Sequence, residues 1–207
     1  KDIENQQLRT IIQNNIHGVD INEQAIEITQ LNLFLKLATS SQQLIDLSKN
    51  LRVGNSLIDD PSVDPNAFEW KKEFPDKFDI VIGNPPYVRW KHLNKQMRLD
   101  LSTSKNLSNR INGLMDLLHG FILRSLDSLK EDGELIFITP TFWVETLHAS
   151  SIRKEMLQIG ELETVVLLDE AKIFTGVSSS FLIFKFIRNK KNRKINVVHV
   201  LDSKKIN

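Results

Sequence analysis

The residues best equipped for chemistry lie between Phe78 and Trp90, in FDIVIGNPPYVRW. A short apolar run ends in Gly83 and passes into Asn84-Pro85-Pro86-Tyr87; Tyr87 is the only tyrosine in the chain. Two consecutive prolines fix two φ angles and remove two N–H donors, so the segment is stiff and the Pro85 carbonyl meets little competition from nearby backbone donors. That carbonyl and the side-chain oxygen of Asn84 make a pair of acceptors suited to the two hydrogens of one amine. The lone pair of an exocyclic amine on a planar base is normally delocalised into the ring. Holding both hydrogens draws the nitrogen toward tetrahedral geometry and aims the lone pair outward, at an electrophile such as a methyl group on a sulfonium. Positioning and fixed dipoles suffice for this, without a general base of tuned pKa. Tyr87 offers the base a ring face, a stacking interaction of about 1–3 kcal/mol that needs the ring and not the hydroxyl.

Two further polar groups stand where strands are expected to end. Asp20 closes HGVD, and an acid there suits the two hydroxyls of a nucleoside ribose. Asn55 lies in VGNSL, where an amide can both donate to and accept from an adenine edge. In an open parallel sheet, ligands sit at the carboxyl ends of the strands. Taken singly, each residue is also an ordinary turn or cap residue.

The elements that must carry these groups alternate. The run 16–21 (IHGVDI) reads as a short strand, and a helix follows with Asn22 as N-cap and Glu23 in its first turn. LRVGNSL contains a second short strand, and FDIVIG reads as a buried third. Leu114, Leu117, Leu118, Phe121, Ile122, Leu126 and Leu129 recur at helical spacing, Glu131-Asp132-Gly133 closes that helix, and ELIFIT is a buried strand. A helix is expected near Glu145–Gln158. ETVVLL and SSSFLIFKFI leave no room for a helix between them and are expected to pair antiparallel. The pattern predicts an α/β fold with a mostly parallel sheet covered on both faces and an antiparallel C-terminal hairpin. RNKKNRK (188–194) is the expected boundary, with INVVHVLD beginning something further.

The chain has 207 residues, 41% apolar and 26% charged, and no cysteine, which excludes disulfides and thiolate metal sites. The polar N-terminus is no signal peptide, and no apolar run is long enough to span a bilayer, so the expectation is a cytoplasmic protein without a membrane partner. Net charge is +1, but the charge is uneven. Between Arg89 and Arg110 stand Arg89, Lys91, Lys95, Arg98, Lys105 and Arg110 against Asp100 alone, and a second basic run extends from Lys185 to Lys205. Local basic segments on a near-neutral chain point to a polyanion on one side, with a solvated surface as the plain alternative. The five histidines show no metal spacing, and Asp59, Asp60 and Asp64 read as an acidic loop rather than a cation site. No metal is expected.

In their order, GVDINEQAIEITQLNLFL, GNSL, NPPYVRW, DLLHGFILRSLDSLKEDGELIFITPTFW and TGVSSSFLIFKF resemble the N6-adenine DNA methyltransferases of restriction–modification systems, from Asn14 to Phe186. The resemblance implies a Rossmann-like methyltransferase fold with S-adenosylmethionine as cofactor, and DNA with a flipped adenine as substrate. Asp20 with Ile21 would bind the cofactor ribose, and Asn55 with Ser56 its adenine edge, although Asp is commoner than Asn at position 55 in that family. Asn84, Pro85 and Pro86 would hold the target amine, Asn84 also bordering the cofactor. Tyr87 would stack on the base, Phe184 would be a second aromatic wall, with core packing as its alternative, and Asp116 matches an acidic position near the pocket. Arg89, Lys91, Lys95 and Arg98 would face the DNA backbone.

The family also carries a glycine-rich cofactor loop after its first strand. Here the glycines stand at 18, 54, 83, 113, 120, 133, 160 and 176, with no G-x-G. The expectation is therefore a partial catalytic domain over 1–187 that lacks its first strand and loop and is inactive alone, followed by a linker and the start of a target-recognition region over 188–207. A restriction nuclease or a specificity domain or subunit is an expected partner, and a monomer the expected state. The competing readings are an amino-methyltransferase acting on protein glutamine or RNA guanine, and a non-catalytic scaffold.

Overall fold

A computed structural model describes residues 2–37, 45–110, 116–168, 180–189, 191 and 194–200. The chain divides into two compact units, Lys1–Glu73 and Phe74–Asn207, and the strands form two separate sheets.

The first unit contains α1 (Asp2–Asn15), β1 (Gly18–Asp20), α2 (Glu23–Leu37), β2 (Leu51–Val53) and α3 (Trp70–Glu73). β1 and β2 pair in parallel, with Gly18 opposite Leu51 and Asp20 opposite Val53. The expected cap forms: the Gln24 amide donates to Oδ1 of Asn22 at 2.9 Å. Ile12, Ile26, Leu37, Ile45, Leu47 and Leu51 make the core, flanked by Leu33 and Phe34. Asn50, 6% exposed, is satisfied by donating from Nδ2 to the carbonyls of Gln13 and Ile16, which ties the end of α1 to the start of β2.

In the second unit a five-stranded sheet runs β3 (Phe78–Gly83), β4 (Leu129–Pro140), β6 (Phe181–Ile187), β5 (Glu161–Leu167), β7 (Asn196–His199). β3 is parallel to β4 and β5 to β7, while β6 is antiparallel to both β4 and β5. Thus four strands share one direction and β5–β6 is the expected antiparallel pair. The helices are α4 (Lys95–Thr103), α5 (Leu117–Ser128), α6 (Phe142–Glu145) and α7 (Ser150–Ile159). α5 supplies the densest burial, with Leu118, Ile122, Leu123 and Leu126 fully enclosed. Phe184 and Phe186 of β6 join Leu135 and Phe137 of β4, their cross-strand partners. Enclosing each such side chain contributes about 1.5–3 kcal/mol. Gly160, between α7 and β5, permits a close approach: a Cβ there would lie 2.1 Å from the Ile187 carbonyl oxygen.

Three expectations change. FDIVIG is an edge strand rather than a buried one: among the described residues β3 pairs only with β4, and Ile80 and Ile82 are 56% and 76% exposed. Glu131-Asp132-Gly133 does not close a helix. α5 ends at Ser128, and the three residues form an irregularity within β4, where Phe78 faces Leu129 but Ile80 already faces Glu134. Asp132 sits there at φ 59°, its carboxylate accepting from Nδ2 of Asn189. The helix expected near 145–158 starts at Ser150, preceded by short turns at 142–145 and 147–149. Beyond residue 188, β7 pairs with β5 from Thr164–Asn196 to Leu167–His199 and so adds a strand to the same sheet. Leu114, Gly176 and the basic residues at 190, 193, 204 and 205 lie outside the described residues.

Candidate functional site

In the first unit, Asp20 ends β1 beside the end of β2, its carbonyl accepting from the Gly54 amide at 2.9 Å. Oδ1 of Asp20 accepts from the Asn22 amide at 2.8 Å, a turn that orients the carboxylate at the mouth of α2. Oδ2 makes no hydrogen bond among the described residues, and both Asp20 and Ile21 are exposed. This arrangement fits a diol beside an apolar surface. Asn55 is arranged differently. Its Nδ2 donates to Oδ2 of Asp64 at 2.7 Å and its Oδ1 accepts from the Leu57 amide at 3.1 Å. These bonds use one hydrogen of Nδ2 and one lone pair of Oδ1, and a side-chain amide has two of each. Ser56 contributes its carbonyl to Nε1 of Trp70. The acidic loop is built the same way, Asp60 accepting from Ser62 and Asp64 from Asn66.

In the second unit, β3 delivers Asn84 to the carboxyl end of the sheet. Asn84 and Pro86 are exposed and Pro85 is buried. Tyr87 is half-buried, and its single hydroxyl hydrogen is shared between the Ile138 carbonyl, at 2.8 Å, and Oδ1 of Asn84. Burial pushes the phenol's pKa up, so it remains a donor at neutral pH. An amide oxygen has two lone pairs, so Oδ1 can accept a second hydrogen bond. The ring of Tyr87 packs with Phe181, centroids 5.7 Å apart, in a cluster with Ile138, Val166, Ile183 and Leu168.

Phe184, expected as the second aromatic wall, is 0% exposed and sits against Trp143 and Phe137. It borders a cavity of about 370 Å³ with Trp143, Val165 and Leu182, whose lining does not include Tyr87. Its surroundings are those of the core, and the ring beside Tyr87 is Phe181. No sequence signal separates the two phenylalanines.

The residues after the motif turn through Trp90–His92 into α4, which Asn94 caps by accepting from the Met97 amide. Arg89, Lys91 and Lys95 are exposed and Arg98 half-exposed, and among the described residues none of the four forms an ion pair. Arg110 is different. It pairs with Asp127 of α5 at 2.7 Å and with Glu155 of α7. Burial disfavours its charge, but the two carboxylates outweigh that and raise its pKa. In the second basic run, Lys185 lies between Glu134 and Glu163, and Lys191 pairs with Asp132. Among the described residues there is no cluster of three or more possible metal ligands and no helix long and apolar enough to cross a membrane.

Backbone atoms behind the motif were not legible in the sequence. The Leu117 amide donates to the Val88 carbonyl at 2.9 Å, and the Trp90 amide donates to Oδ1 of Asp116 at 3.3 Å.

Comparison with known proteins places this geometry. The chain is 38% identical over 152 residues to the type II methyltransferase M.HincII of Haemophilus influenzae, covering 73% of this chain and 30% of that protein. It thus spans about 30% of the length of the curated relatives it matches. The methyltransferase subunit of a type I restriction-modification system from Streptococcus thermophilus superposes with a TM-score of 0.65 at 22% identity, over 91% of this chain and 37% of that one. DrdV, in a DNA complex, superposes with a TM-score of 0.68 at 16% identity, over 96% of this chain and 22% of that one. These likenesses establish the fold as that of the S-adenosylmethionine-dependent methyltransferases. With residues 14–174 matching its family model, an Asn-Pro-Pro-Tyr turn at the carboxyl end of β3 and an acid at the carboxyl end of β1, the chain belongs to the Eco57I restriction-modification methylases.

Proposed function

We propose that this chain carries the amine-binding and ribose-binding residues of a DNA methyltransferase that modifies adenine at N6, acting within a restriction–modification system. The observation that carries the reading is the exposed Asn84 acceptor at the carboxyl end of β3, beside a tyrosine ring tied to β4 by its hydroxyl. The free Oδ2 of Asp20 and the exposed Ile21 beside it fit the ribose of S-adenosylmethionine, which when bound supplies an electrophilic methyl group. The chain's own residues prepare the nucleophile. Oδ1 of Asn84 and the Pro85 carbonyl accept the two hydrogens of the adenine amine, and Tyr87 stacks on the extruded base. Base extrusion demands a partner for the phosphates, and Arg89, Lys91, Lys95 and Arg98 follow the motif directly. A nuclease or specificity subunit would share the task of choosing sites.

The test uses the polypeptide encoded by the whole reading frame, incubated with labelled cofactor and DNA. The DNA is digested and its nucleosides are separated. N6-methyldeoxyadenosine is expected in the digest. Asn84→Ala is expected to lower the single-turnover rate at least a hundredfold with DNA and cofactor affinity nearly unchanged, because the lost acceptor acts more on the transition state than on the ground state. Label appearing instead on a protein glutamine or an RNA guanine, or a near-normal rate for Asn84→Ala, would overturn the proposal.

A further inference from the structure

We infer that Asp116 is a positioning residue for the Asn-Pro-Pro-Tyr turn, holding the segment Val88–Trp90 so that Asn84 and Tyr87 keep their places. The inference deepens the adenine-N6 reading and rests on it.

The turn needs an outside anchor. Its sheet register ends at Gly83, paired with Phe137, and the two prolines that follow have no N–H to donate. One tie lies at the ring itself, from the Tyr87 hydroxyl to the Ile138 carbonyl. The next two lie immediately beyond the ring and both end on the N-terminus of α5. Leu117 donates its amide to Val88, and Trp90 donates its amide to the Asp116 carboxylate. The bonds straddle one residue, Arg89, so they fix both the position and the direction of the chain leaving Tyr87.

The anchor is itself deeply packed. Leu118, Ile122, Leu123 and Leu126 root α5 in the core at full burial. Asp116 is the N-cap, its backbone amide donating to Nδ1 of His119 at 3.0 Å, and His119 is only 2% exposed. A carboxylate at a helix N-terminus is favoured by the partial positive charge there. Packing in α5 therefore sets where the motif's exit stands, and Asp116 is the side chain that transmits it. The family resemblance sets Asp116 near the pocket, but its pairing with the backbone amide at 90 arises only in the folded chain.

Three measurements on the protein from the whole reading frame test the inference. Amide hydrogen exchange at Trp90, in the protein without DNA, reads the clamp directly. Asp116→Ala is expected to lose the protection at Trp90, and Asp116→Asn to keep it, since an amide oxygen also accepts. Single-turnover methylation is expected to fall at least tenfold in Asp116→Ala and to stay within threefold of wild type in Asp116→Asn. Equilibrium affinities for cofactor and DNA are expected to change less than twofold in both. The positioning role is overturned if Asp116→Ala methylates at the wild-type rate, if Asp116→Asn is as slow as Asp116→Ala, or if the main loss is in cofactor affinity. Unchanged exchange at Trp90 in Asp116→Ala overturns it as well. A wild-type protein that forms no N6-methyladenine counts against the functional reading alone, because the exchange experiment reports on the clamp without any reaction.

Discussion

Tyr87 is where the folded chain adds most to what its residue type says. The ring alone accounts for stacking, and on that basis the hydroxyl is dispensable. The fold gives the hydroxyl two acceptors, the Ile138 carbonyl and Oδ1 of Asn84. It thereby couples the stacking surface to the amine acceptor and to β4. A single such hydrogen bond contributes about 0.5–1.5 kcal/mol net. Tyr87→Phe is therefore expected to slow methyl transfer by roughly three- to tenfold, since 1.36 kcal/mol is a factor of ten in rate. Tyr87→Ala, which also removes the ring, is expected to cost at least tenfold more. Single-turnover rates for both variants, with DNA affinity measured separately, check the order. A Tyr87→Phe protein as fast as wild type would mean that the hydroxyl bonds play no part in catalysis.

At the scale of elements, what was legible depended on how local the determinant is. The turn after β3 is written in adjacent residues, as are the Asn22 cap and the apolar face of α5, and the fold contains all three. Pairing is not local. β6 reads FLIFKFI, and Phe181 and Ile183 lie on the face toward Tyr87, while Phe184 and Phe186 lie on the other. Side chains alternate along a strand, so only the register with β4 decides which phenylalanine neighbours the motif. For the same reason Asn196–His199 gave no sign that its partner is β5.

Helix α5 carries an element-scale consequence in His119. Burial lowers the pKa of this imidazole from its ordinary 6.5, the nearby Asp116 opposing and Arg153 assisting the shift. The unfolded chain binds a proton at His119 more readily than the folded one does. Stability is thus complete above about 6.5 and is lost as the pH falls from there through the lowered folded value. The thermal midpoint is expected to drop over that acidic range, and His119→Gln to show a flatter profile than wild type there. Differential scanning calorimetry from pH 7.5 to pH 5 measures both, and parallel profiles would mean that other groups dominate the acid sensitivity.

Across the whole molecule the net charge of +1 conceals two kinds of basic residue. Arg110, Lys185 and Lys191 are matched by carboxylates on neighbouring elements and serve the fold. Arg89, Lys91, Lys95 and Arg98 form no ion pair among the described residues, and they follow directly on the residues proposed to take the base. A cation that neutralises a phosphate releases a counterion, so each such contact steepens the fall of log affinity with log salt by about 0.9 on duplex DNA. Replacing Arg89, Lys91 and Lys95 together by Ala is expected to weaken DNA binding across sequences and to reduce the salt slope by about 2–3. Arg110→Ala is expected to do the opposite. Its loss strands Asp127 and Glu155, so the thermal midpoint should fall while the salt slope stays at the wild-type value. Fluorescence anisotropy titrations from 50 to 300 mM salt, paired with thermal melts, separate the two classes. A triple variant with an unaltered slope would place Arg89, Lys91 and Lys95 away from the DNA, and the charge asymmetry would then be a solvated surface.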